Sequence, residues 1–167
     1  MDEFGPIEVR PCAGQNWCPK KKPDRQPATY TRTHGIRHLL AAYDLKDDKL
    51  YGTVQKHKTN KEFLQFLKQL RRKYNPKITL FIVCDNFGPH KKSNVVTWAT
   101  KNNIEFFYTP TNASWLNKIE PQFNPLKGDV LRNSNYENHD EIADAIHKWL
   151  FFRNSKRYRN FVPSSRN

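Results

Sequence analysis

No run in these 167 residues approaches the ~18 consecutive apolar side chains of a membrane-spanning helix. Residues 1–20 hold acids and prolines where a signal peptide would hold an apolar core, so neither export nor a membrane span is indicated. Cysteine is scarce: Cys12, Cys18 and Cys84 form no even framework, and the aliphatic positions suffice for a core, which fits a reducing cytosol. Cys12, Cys18, His34 and His38 are spaced C-x5-C-x15-H-x3-H, outside the usual zinc-finger pattern, and Arg37-His38 opens an apolar strand, so zinc is not expected. Internal repeats and a glycine-rich phosphate loop are absent, so no nucleotide cofactor is expected. Asp85-Asn-Phe-Gly88 is for the same reason not a kinase motif. Acids are few as well.

Lys and Arg outnumber Asp and Glu by 29 to 16, giving a net charge of +13 and a pI near 9.8. That is the electrostatic footprint of a protein that sits on phosphate, shared by ribosomal, RNA-binding and membrane-surface proteins. The length suits one domain with a genuine core and leaves no room for a second. Residues 10–37 are irregular, with four prolines, and between Pro19 and Arg37 six Lys or Arg face one acid, Asp24. Lys20, Lys21, Lys22, Arg25 and Arg32 make this a candidate phosphate-contacting loop, with a solvated mobile loop as the equal alternative.

The chain is organised around Ile78–Cys84, an uncharged run without alternation, as in a parallel strand covered on both faces. Asp85 follows at the strand's carboxyl end, the edge where ligands gather in α/β sheets; a turn or cap role is the plainer reading. Glu120 lies thirty-four residues further on, room enough for a helix, a strand and a return loop. Around this core, Arg37–Asp44 and Lys49–Lys56 read as a hairpin. Thr59 with Glu62 forms a capping box before a helix carrying Phe63, Phe66, Leu67, Leu70 and Tyr74 to the stop at Asn75-Pro76. A helix after Pro89 turns Val95, Val96, Trp98 and Ala99 inward, and Ile104–Tyr108 is a fifth strand. A helix starting near Ile119 would tolerate Pro121 in its first turn and set Glu120 at its amino end, where a cap is the plain alternative role. Asn138 and Glu141 open a last helix with Ile142, Ala145, Ile146 and Trp149 on one face, followed by a basic aromatic tail.

Asp2-Glu-Phe-Gly-Pro6, Ala28-Thr-Tyr-Thr-Arg32 with His34-Gly35, Arg37-His-Leu-Leu40, Asp85-Asn-Phe87 with His90, and Ser114-Trp-Leu-Asn-Lys-Ile-Glu-Pro-Gln-Phe123 span nearly the whole chain. In these words and their order the sequence closely resembles the mariner-like superfamily of insertion-sequence transposases, in the branch with a DDE catalytic domain. The resemblance implies an α/β, ribonuclease-H-like mixed sheet flanked by helices. It implies Asp2, Asp85 and Glu120 as catalytic metal ligands, with His90, Asn117 and Lys118 as DNA contacts; for His90 a capping or packing role is the alternative. It further implies DNA as partner (element ends and target), a homodimer, and cutting followed by attack of the freed 3′-hydroxyl on target DNA. The family places its first catalytic Asp on the first strand, after a helix-turn-helix region. The start at Met1-Asp2 therefore suggests a chain truncated at its amino end and lacking most of that strand.

Independently of the family, two-metal phosphodiester cleavage calls for carboxylates, because Mg²⁺ takes hard oxygen ligands and keeps waters, and one carboxylate must bridge two ions roughly 3.5–4 Å apart. Mg²⁺ is the expected cofactor, with Mn²⁺ as substitute, and Asp85 the expected bridge. Residues 1–135 are read as the catalytic domain and 136–167 as a helix and basic tail packed on it, in a cytoplasmic, nucleoid-associated protein. Two alternatives stay open: a ribonuclease-H-like nuclease that only hydrolyses, and a catalytically silent DNA-binding remnant.

Overall fold

Alternating apolar residues in the first third of the chain build a three-stranded antiparallel sheet of β1 (Asp2–Glu8), β2 (Ile36–Asp44) and β3 (Lys49–Gln55), in that spatial order. The computed structural model describes residues 1–15, 18–22, 25, 27, 34–110 and 116–155; Arg32, Trp115 and the basic tail beyond Ser155 fall outside them. Pairing runs from Asp2↔Ala41 to Glu8↔Ile36 and from His38↔Gln55 to Asp44↔Lys49. Asp2–Glu8 therefore form a first strand, which corrects the expectation that most of it is lacking. Gly5 and Pro6 hide it from a pattern search, since proline brings no N–H to a ladder; the register slips between Phe4 and Ile7, around the cis Gly5–Pro6 bond.

β2 is covered on both faces. Leu39 and Ala41 join Ile7, Leu50 and the second half of the chain in one core, while Leu40 and Ala42 join Met1, Phe63, Phe66 and Leu67 in another. The period of two thus sorts one strand's side chains between two cores.

Helix α1 (Asn60–Arg71) starts on the expected capping box: Thr59 Oγ accepts from Lys61 N at 3.2 Å and the Glu62 carboxylate accepts from Thr59 N at 3.1 Å. Thr59→Ala is expected to lower unfolding stability by about 1 kcal/mol, read from the urea midpoint at unchanged slope. The helix ends at Arg71, short of Asn75. The buried Arg71 guanidinium turns back to donate to the carbonyls of Tyr74, Asn75 and Ile78, which fixes a turn where sequence periodicity predicted helix.

β4 (Leu80–Cys84) and β5 (Ile104–Tyr108) form a parallel pair, linked through a 3-10 turn at Gly88–Lys91 and helix α2 (Ser93–Lys101). α1 and α2 cover only one face of this pair. Ile82 and Cys84 are buried, whereas Phe81 is 65%, Val83 42% and Phe107 52% exposed, so the expected strand covered on both faces has one face open among the described residues. Likewise Val95 and Ala99 of α2 point inward while Val96 lies outside. Near Glu120 the chain is helical from Glu120 to Leu131, passing from a 3-10 turn (Glu120–Gln122) through α3 (Phe123–Leu126) to a π turn (Lys127–Leu131). Pro121 sits in the first turn, where a missing N–H is tolerated. Helix α4 (His139–Arg153), capped by the Asn138 side chain, seats Ile142, Ile146, Trp149 and Leu150 against the antiparallel sheet. No helix of the described residues is long and apolar enough to cross a membrane.

Candidate active site

The two sheets meet where β1 begins beside the carboxyl end of β4, with the Met1 amino group donating to Val83 O at 2.7 Å. This junction sets Asp2, the first residue of β1, near Asp85, the first residue past β4. Asp2 is partly buried, and its side chain accepts from Glu3 N at 2.8 Å and from Asn117 Nδ2 at 3.1 Å. Burial pushes the Asp2 carboxyl up to about 6, and the negative charges of Glu3 and Asp85 act in the same direction. Such a carboxylate is short of positive charge.

Asp85 closes a tight turn in which its Oδ1 accepts from Phe87 N at 3.1 Å, and its side chain stays half exposed. His90, on the following 3-10 turn, approaches the same Oδ1 through Nδ1 at 3.1 Å and Glu3 through Nε2 at 2.8 Å. The His90 ring is fully buried, its centroid 4.1 Å from that of Phe63. Burial alone would favour the neutral ring, yet interactions with Cys84 and Glu3 outweigh it and hold His90 up to about 10. Both ring nitrogens then donate, and an imidazolium ties the carboxylate of β1 to that of the β4 loop.

Two residues expected on the DNA surface lie elsewhere. His90 has no exposed atoms to offer a phosphate, and Asn117, 4% exposed, spends its amide on Asp2 and on Met1 O at 3.3 Å. Each carries an apolar neighbourhood that sequence spacing did not reveal: Phe63 and Phe87 around His90, and the buried Met1 beside Asn117. Lys118 is exposed, as are Lys20, Lys21, Lys22 and Arg25, while Arg32 lies outside the described residues. Glu120 is exposed at the first position of its 3-10 turn, its N–H bonded to Asn117 O at 3.1 Å. Among the described residues no three Asp, Glu, His or Cys side chains converge closely enough to hold a metal ion. Asp2 and Asp85 are close enough to act on one another electrostatically, and Glu120 is exposed on the turn that follows Asn117.

Three residues were not singled out from the sequence. Glu3, one position past Asp2, is the partner of His90. Lys58 lies 4.8 Å over the Phe87 ring and Lys127 5.3 Å over the Phe4 ring, so cations flank both strands of the carboxylate pair. Adjacent acids at the start of a strand are the one sequence signal for Glu3; the lysines had none. The donor set of Asp2 and Asp85, hard oxygens with an excess of negative charge, fits a divalent cation completed by water and phosphate oxygens.

Comparison with known proteins bears on the same region. Residues 1–143 match the family model described as DDE superfamily endonuclease. A 39 kDa insertion element IS630 protein of Shigella sonnei is 27% identical over 129 residues, covering 76% of this chain and 37% of that protein. The fold resembles Mos1 transposase in a paired-end complex with the left transposon end (TM-score 0.66, 16% identity, 90% of this chain and 47% of that one). It resembles equally the Mos1 mariner paired-end complex with Mn (TM-score 0.66, 16% identity, 90% and 46%). This chain thus spans less than half the length of the relatives it matches.

Proposed function

This chain belongs to the DDE superfamily endonucleases, and on that premise we propose that it is the catalytic part of a transposase that cuts DNA at element ends and joins the freed 3′-hydroxyl to target DNA. Residues 1–135 are the proposed catalytic domain, with 136–167 belonging to the same unit. The observation that carries the reading is the pairing of Asp2 with Asp85, with the Asp2 carboxyl pushed up to about 6.

Asp2 and Asp85 are the proposed ligands of Mg²⁺ or Mn²⁺, with Glu120 the third. When bound, such ions supply an activated water and steady the leaving oxygen. Glu3 N and Asn117 Nδ2 hold the two oxygens of Asp2 at 2.8 and 3.1 Å, and His90 and Phe87 N hold one oxygen of Asp85, whose side chain is half exposed. Lys58, Lys118 and Lys127 draw phosphate toward the pair.

Because a proton and a metal ion compete for Asp2, saturating Mn²⁺ is expected to stabilise the protein by about 2–3 kcal/mol at pH 7.5. The gain is expected to shrink once pH falls below about 6, where Asp2 takes up a proton. Melting temperatures with and without metal at the two pH values check this, and equal gains at both would remove Asp2 from the ligand set.

The deciding experiment is metal-dependent nicking of supercoiled plasmid by the chain beside Asp2→Asn and Glu120→Gln, with circular dichroism confirming like folds. Loss of nicking in both variants supports the three-carboxylate site. Equal behaviour of all three proteins would favour the second reading, a silent DNA-binding protein, which the lack of a three-residue metal cluster among the described residues supports. Transfer of a labelled 3′ end to a second duplex separates a transposase from a nuclease that only hydrolyses.

A further inference from the structure

Antiparallel pairing of His38 with Gln55 brings the start of β2 beside the end of β3, where the chain runs directly into α1. A cavity of about 380 Å³ opens there, lined by residues 34–38 and 56–59. Six of its nine lining residues are basic types (His34, Arg37, His38, Lys56, His57 and Lys58) and none is an acid. Among the described residues Arg37, Lys56 and Lys58 enter no ion pair, and the Arg37 guanidinium is bonded only to its neighbour's carbonyl, Ile36 O, at 3.0 Å. Like charges gathered on one wall repel, and the acids that act on them stand outside the lining: Glu3 acts on His38, and Glu62, which caps α1, acts on His57. An anion relieves that repulsion.

The cavity is joined to the carboxylates through Lys58. Its ammonium lies over Phe87, and the Phe87 N–H holds Asp85. Glu3, which also faces His90, acts electrostatically on His38 at the cavity wall. A DNA strand lying across Asp2 and Asp85 therefore meets this basic hollow on one flank, where its next negative groups are backbone phosphates.

We propose that the cavity between the start of β2 and the end of β3 is a phosphate-backbone site for DNA flanking the cut, with Arg37 and Lys56 as its anchors. This rests on the functional reading above and adds to it a surface outside the carboxylate pair. Arg37 and Lys56 neutralise phosphates in this arrangement, and each neutralised phosphate contributes about 0.9 to the slope of log affinity against log salt.

The test is fluorescence anisotropy of a labelled duplex across a salt series, for the chain as it stands and for the Arg37→Gln/Lys56→Gln double variant. A Lys77→Gln/Lys101→Gln variant serves as control, since both lysines are exposed at the opposite, amino ends of β4 and β5. The cavity variant is expected to bind about tenfold more weakly near 100 mM salt, with the slope reduced by about two. The control variant keeps the slope, and nicking at saturating DNA stays within twofold in both. A slope unchanged in the cavity variant, or reduced equally in both, overturns the proposal while leaving the carboxylate site intact. So does inorganic phosphate at 10 mM displacing the duplex as well as unlabelled DNA does. A parent chain that binds no DNA at any salt overturns the functional reading and the cavity with it.

Discussion

Replacing Asp85 by Asn is expected to lower metal-dependent nicking by about a thousandfold while leaving the fold intact, because Asn keeps the shape but not the charge that holds a cation. The side chain is half exposed at a strand end, and its buried partner, His90 Nδ1 at 3.1 Å, keeps an amide oxygen as acceptor and Glu3 as counter-charge. The Phe87 N–H finds the amide oxygen as it found the carboxylate. The same substitution has a second readout. One of the negative charges that raise the Asp2 proton affinity disappears, so Asp2 is expected to titrate below its value of about 6. A carboxyl-carbon NMR titration of Asp2 follows this directly. Nicking retained within tenfold in Asp85→Asn would remove Asp85 from the site; an unmoved Asp2 titration would show that the two carboxylates are not coupled.

His90→Leu is expected to destabilise the chain by about 3–5 kcal/mol, a fall in melting temperature of roughly 10 °C, since it leaves a buried carboxylate without its counter-charge. Glu3 is that carboxylate: its side chain is 10% exposed and 2.8 Å from His90 Nε2. Replacing Glu3 by Gln in the same chain is then expected to recover part of the loss, and a double-mutant cycle gives the coupling, about 1–3 kcal/mol. The pH dependence has a definite sign. His90 is held up to about 10, above the ordinary 6.5, so its contribution is fully present below about pH 6.5 and is lost as pH rises toward 10. Denaturation midpoints of the parent are expected to fall across that interval and those of His90→Leu to stay flatter. Parallel curves would sink the imidazolium assignment.

Most of the elements were legible in the sequence, for local reasons. The capping box at Thr59 and Glu62, the apolar faces of α1 and α4, the hairpin of β2 and β3, and the position of Pro121 in a first turn all depend on residues within one or two helical turns of each other. The misreadings were non-local. α1 stops at Arg71 because a guanidinium folds back onto carbonyls up to seven residues away. β1 was masked by Gly5-Pro6, and its identity as a strand rests on β2, more than thirty residues later. β4 looked covered on both faces since an uncharged run says nothing about how many layers reach it.

Sequence by itself determined the family, the α/β order of elements, the basic character and the identity of Asp2, Asp85 and Glu120 as candidate ligands, because these follow from residue type, spacing and motif. Tertiary structure alone decided which of those carboxylates meet, since Asp2 and Asp85 converge only where β1 starts against the end of β4. It placed His90 and Asn117 in the interior, where their side chains contact Glu3, Asp85 and Asp2. Burial depends on what packs around a side chain, and Phe63, Phe87 and Met1 approach from segments the local pattern does not connect. The basic hollow at Arg37 and Lys56 has the same origin: two short stretches of ordinary charge become one strong potential only when antiparallel pairing sets their ends side by side.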